Sequence, residues 1–139
     1  MRVLRVACAL LFLSCSSTSS APSDPPCVTG LTPSCQGLYD QPAFQTIFDK
    51  ILHPTCGVGS GTCHTADAAM GGLVLENADD AYARLVDGRR VVAGDPGCSL
   101  IMKRLTSSDP SYRMPKGPTP LLPAAQCTIV QWIAAGAKR

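Results

Sequence analysis

Residues 56–64 read CGVGSGTCH and place two thiols and an imidazole, Cys56, Cys63 and His64, within nine positions. A second imidazole, His53, stands just upstream, and a thioether, Met114, lies 50 residues beyond His64 in Tyr112-Arg113-Met114-Pro115. Three chemistries fit these side chains. Cys63-His64 ends as a Cys-x-x-Cys-His haem-attachment site ends, where cysteine thioethers hold the haem, the histidine binds iron and a methionine can fill the other axial position. Cys56 and Cys63 can instead close a disulfide around a glycine-rich loop. His53, Cys56, Cys63 and His64 also make up the two-thiolate, two-imidazole donor set of a tetrahedral zinc site.

The spacing separates these readings only in part. A two-residue spacer requires the first cysteine at position 60, which is Ser60; the nearest upstream cysteine is Cys56, so the spacer is six residues, GVGSGT. Its glycines let the extra residues loop outward, and attachment through Cys63 alone is a further arrangement. Adjacent Cys63 and His64 fit poorly into one tetrahedron, and an oxidising compartment works against free thiolates. Met70 and Met102 are weaker ligand candidates, Met102 falling within a helical pattern as a packing residue.

Helices and turns must position these groups. Residues 42–52 (PAFQTIFDKIL) put Phe44, Ile47, Phe48, Ile51 and Leu52 on one helical face, with Pro42 at the start and Pro54 as the stop. Residues 77–88 form a second helix, with Asn77 as N-cap, Asp79 and Asp80 at its positive end and Gly88 as C-cap. Asp95-Pro96 opens a third, carrying Leu100, Ile101, Arg104 and Leu105. A proline-rich loop at 107–120 leads to a fourth over 123–135, where Ile129, Trp132 and Ile133 form the core face and Gly136 the stop. The expected fold is all-α, about four short helices with long loops, and loops of that length suit wrapping a cofactor.

Composition bounds the rest. Residues 1–15 combine Arg2 and Arg5 with an apolar run too short to span a bilayer, and end in Leu13-Ser14-Cys15. They read as a lipoprotein-type signal peptide with Cys15 as the lipidated residue, ordinary cleavage near Ser20-Ala21 being the alternative. Residues 16–26 form a Ser/Pro-rich tether and 27–139 the folded domain. Loss of Arg2 and Arg5 leaves ten basic and ten acidic side chains, a neutral chain with no basic patch for nucleic acid. With twelve glycines, twelve prolines and seven aromatics, the domain is short of core material and needs staples. Sequence neighbours suggest Cys27 with Cys35 and Cys98 with Cys127 as structural disulfides. No nucleophile elbow, phosphate loop or His-Glu-x-x-His motif is present, so no enzyme is expected.

The ordered set of motifs resembles a known family. A helix running into Cys…Cys-His, then GGLVL, a helix ending in Gly, V-x-G-D-P-x-x-S-L, R-M-P and a final helix with QWIAAGA is similar to small c-type cytochrome domains of exported planctomycete and myxobacterial proteins. The resemblance spans about residues 42–137 and departs at the attachment site. It implies a cytochrome c-like fold carrying one haem c, with Cys63 and Cys56 as thioethers and His64 and Met114 as axial iron ligands. The implied role is electron transfer on the periplasmic side, by a lipoprotein anchored through Cys15 in the periplasm or at the outer membrane, with an unnamed redox protein as partner. A haem-free relative with a Cys56–Cys63 disulfide and a binding or structural role is the alternative; a zinc-binding module is the third.

Overall fold

The computed structural model describes residues 25–58 and 63–139. The signal peptide, Cys15 and nearly all of the tether lie outside the described residues. Among the described residues the regular structure is helical, with no strand beyond an isolated Val92–Asp95 bridge. No described helix is long and apolar enough to cross a membrane.

Helix α1, Phe44–Ile47, does not stop before Pro54. It widens into a π-helical segment, Phe48–Gly57, that carries Pro54 inside it. A proline ring clashes with the carbonyl four residues back in an α-helix; the wider i→i+5 winding relieves that approach. The consequence is functional: the helix runs on to deliver Cys56 and Gly57. Helix α2, Ala78–Val86, is capped as its sequence predicts, Asn77 Oδ1 accepting from the amides of Asp79 (2.9 Å) and Asp80 (3.2 Å). At its far end Gly88 is followed by Arg89, which takes the left-handed conformation (φ 56°) expected of a glycine cap.

Helix α3, Leu100–Leu105, starts later than expected. Asp95 Oδ1 accepts from Cys98 N (2.9 Å), closing a turn, while the buried Ser99 hydroxyl bonds Asp95 O (2.7 Å) and accepts from Val92 N (2.9 Å). Ser99 is held extended by these bonds (φ −70°, ψ 124°), so the helix begins only after it. Helix α4, Pro123–Ala134, has proline in its first turn and ends at Gly136 (φ 98°).

The core joins α1 and its π-helical continuation to α2 and α4 around Phe44, which is 5.1 Å from Tyr82 edge-on and 5.4 Å from Trp132. Trp132 is buried as its helical spacing indicates, and Met102 is fully buried, as a packing residue should be. The polar tips reach outward: Trp132 Nε1 donates to Lys138 O (2.6 Å) and Tyr82 OH to Ala137 O (3.0 Å).

The cysteine pairing differs from the expectation. Cys27 bonds Cys98 and Cys35 bonds Cys127, the partners lying 71 and 92 positions apart in sequence. The lead-in segment does not fold on itself; it lies along the C-terminal half. Val28 N donates to Gly97 O (2.9 Å), and a Cβ on Gly97 would sit 2.5 Å from Val28 O, so a side chain there would push the segment away. Farther along, Leu38 N donates to Thr128 Oγ1 (2.8 Å), and Gln131 Nε2 reaches Cys35 O (3.0 Å) and Pro33 O (3.1 Å).

Candidate functional site

A cavity of about 340 Å³ opens among the π-helical segment, the 63–75 loop, α2, α3 and the 107–120 loop. Leu52 and Cys56 come from the first; His64, Met70 and Leu73 from the second; Leu85 from α2; Ile101, Arg104 and Leu105 from α3; Met114 from the last. The volume falls within the range of small-molecule and cofactor pockets, and the lining has their character, apolar with a few convergent polar groups. A larger cavity of about 540 Å³, bounded by Pro33, Asp40, Pro42, Trp132 and Arg139, gathers no cysteine, histidine or methionine. Size is therefore the wrong guide, and the smaller cavity is where the chemistry converges.

The backbone explains how His64 is presented. Its loop is closed by Met70 N donating to Cys63 O (2.9 Å) and Leu75 N to His64 O (2.7 Å). His64 Nδ1 lies 3.3 Å from Leu73 O. A carbonyl only accepts, so the proton of that bond sits on Nδ1, and Nε2 keeps its lone pair for a metal. His53 is differently engaged: Nδ1 bonds Leu75 O (2.8 Å) and the ring stacks on Phe48 at 5.2 Å. It is a packing residue inside the π-helical segment, where the sequence placed it at a helix end. Gly57 is required next to it, because a Cβ there would lie 2.2 Å from Leu75 O.

Cys56 and Cys63 are free thiols, whereas the other four described cysteines are paired. The bridge between them considered from sequence is not formed. Cys56 lines the cavity and packs on the core, while Cys63 is half-buried outside the lining. Burial, reinforced by the neighbouring Cys63, pushes the Cys56 thiol up from 9.0 to about 11. The folded chain therefore holds this proton more tightly than the unfolded chain does. Its stabilising contribution is complete below pH 9 and is lost as pH rises through about 11. In haem-free protein at pH 8, Cys56 should react with iodoacetamide about tenfold more slowly than an unperturbed thiol, its scarcer thiolate partly offset by greater nucleophilicity, the rate rising about tenfold per pH unit. Equal rates, followed by mass spectrometry, would contradict a buried thiol.

Two cations in the wall escaped the sequence reading. Arg90 donates from Nη1 to Arg84 O (2.8 Å) and from Nη2 to Gly71 O (2.6 Å), fixing the Met70–Gly72 turn beside the cavity. Arg104 shares the cavity face of α3 with Leu100, four positions earlier, which is the one signal that could have found it. Near Met114, Tyr112 OH and Arg113 Nε are buried without a hydrogen-bond partner. Met70 also lines the cavity, yet is 57% exposed. Among the described residues no three His, Cys, Asp or Glu side chains are grouped to hold a metal ion, so the zinc set is not assembled.

The donor set suits a haem: apolar walls for a flat macrocycle, a thiol for a thioether, imidazole and thioether ligands for iron, and two guanidinium groups for peripheral carboxylates. Residues 61–117 match a family model described as Planctomycete cytochrome C. The matched stretch holds Cys63, His64, Arg90, Arg104 and Met114 and begins after Cys56. Neither the curated proteins nor the solved structures searched gave a match.

Proposed function

We propose, from a chain that matches a Planctomycete cytochrome C family model over residues 61–117, an exported electron-transfer protein with one covalently attached haem c. The observation that carries the reading is the convergence of Cys56, His64 and Met114 on one largely apolar cavity. When bound, the haem supplies one-electron chemistry, its iron passing between two oxidation states.

The residues of this chain do the rest. Cys63, with Cys56 across the longer spacer, would hold the group covalently. His64 would offer Nε2, its ring orientation fixed by Leu73 O, and Met114 would offer its thioether sulfur. With an imidazole and a thioether both supplied by the protein, the group would favour electron transfer over activation of a small molecule. Leu52, Leu85, Ile101 and Leu105 exclude water, and the cationic Arg90 and Arg104 would meet the carboxylates. Two long-range disulfides suit maturation in an oxidising compartment. This supports export; a lipid anchor on Cys15, in the periplasm or at the outer membrane, and a redox protein as electron partner complete the proposal.

The cysteine variants test the attachment. After co-expression with haem-attachment machinery, Cys63→Ala and Cys56→Ala should each keep the haem on the denatured chain through one thioether, and the double variant should lose it. If both variants and the parent chain lack haem, with Cys56 linked to Cys63 in a non-reducing peptide map, the haem-free reading replaces this one.

A further inference from the structure

The loop that carries Met114 is fastened to α3 through a single residue. Met114 N donates to Arg104 O (2.9 Å), and Arg104 Nη1 donates to Tyr112 O (3.1 Å). The same guanidinium lies over the Tyr112 ring, 3.9 Å from its centroid. Main chain, fork and flat face of one arginine thus hold two positions of the loop, Tyr112 and Met114, on either side of Arg113. Arg104 also lines the cavity with Met114. The loop's other bonds stay within it: Tyr112 N and Arg113 N to Asp109 O (3.1 and 2.7 Å), Arg113 Nη2 to Gly117 O (2.8 Å), and Lys116 Nζ to Ser111 O. They shape the loop without attaching it to α3.

We infer that Arg104 is the positioning residue for the axial methionine: by clamping Tyr112 and the Met114 amide, it holds the Met114 thioether at the haem cavity. The inference rests on the proposed haem function. A methionine side chain turns about three single bonds, so its sulfur stays at one place only if the backbone beneath it is fixed. Lysine cannot replace arginine here, because an ammonium has neither the planar face that stacks on Tyr112 nor the fork that reaches its carbonyl at the same time. The tyrosine hydroxyl takes no part in the clamp, since it makes no hydrogen bond to Arg104 or to the loop.

The test uses the haem-loaded protein and three variants, Arg104→Lys, Tyr112→Leu and Tyr112→Phe. Haem content by intact mass is read beside the methionine–iron charge-transfer absorption and the midpoint potential. Arg104→Lys and Tyr112→Leu should keep the covalent haem, weaken the methionine band and lower the potential. A tenfold loss of the methionine's preference for reduced iron corresponds to about 59 mV. Tyr112→Phe, which keeps the ring, should match the parent protein in both readouts. Because the two damaging variants lie on different elements, failure of one to fold leaves the other to decide. A loaded Arg104→Lys protein with unchanged band and potential overturns the clamp alone. A parent protein that carries no haem overturns the functional reading and the clamp with it.

Discussion

Replacing His64 with alanine should abolish the low-spin reduced spectrum of the haem-loaded protein, whereas replacing His53 should leave that spectrum in place. The two imidazoles lie on the same stretch and both bond backbone carbonyls, but only His64 lines the cavity. Its Nδ1 is committed to Leu73 O, so Nε2 is the free donor. Loss of a supporting residue at a metal site costs roughly 10–100-fold in affinity or activity. Loss of the ligand itself should exceed that, and the reduced α-band of purified His64→Ala should fall below about a tenth of the parent's. His53→Ala removes a hydrogen bond and a ring contact with Phe48, worth about 1 kcal/mol of stability. A His53 variant that loses its spectrum while His64→Ala keeps it would reverse the assignment of the two histidines.

Opening the Cys35–Cys127 bridge should be among the largest stability changes in the domain. The bridge closes a loop of about 90 residues, for which the chain-entropy model gives roughly 4–5 kcal/mol. Small domains are stable by only about 5–15 kcal/mol. Cys35→Ser with Cys127→Ala should therefore lose more than about 2 kcal/mol in urea unfolding and leave the lead-in segment open to proteolysis. The intact protein, digested without reduction, should yield peptides joining Cys27 to Cys98 and Cys35 to Cys127. Peptides joining Cys27 to Cys35 would restore the sequence-neighbour pairing and remove the clamp along α4.

Local signals carried far in this sequence, and long-range ones did not. Asn77 caps α2 because its own side chain reaches two amides within three residues, a relation visible in any sequence. The Ile129, Trp132 and Ile133 face of α4 is equally local. Pro54 misled because the rule that proline ends a helix assumes α geometry, and the chain widens to a π winding instead. The disulfides misled because pairing depends on where the lead-in segment travels, here past Gly97 and along α4. Cys63, His64 and Met114 could be singled out by residue type and order. Arg90 could not, since an arginine after a turn carries no mark of the cavity it faces, and Arg104 is marked only by its place four positions after Leu100 on α3. Gly57 is similar: only the approach of Leu75 O explains why no side chain fits there.

The most direct test of the central claim is the intact mass and visible spectrum of the parent protein purified from a host with haem-attachment machinery. The expected result is a denatured mass increased by one haem, a dithionite-reduced α-band, and protection of Cys63 and Cys56 from alkylation. A colourless chain of unmodified mass, with both thiols alkylated or joined to each other, would contradict it.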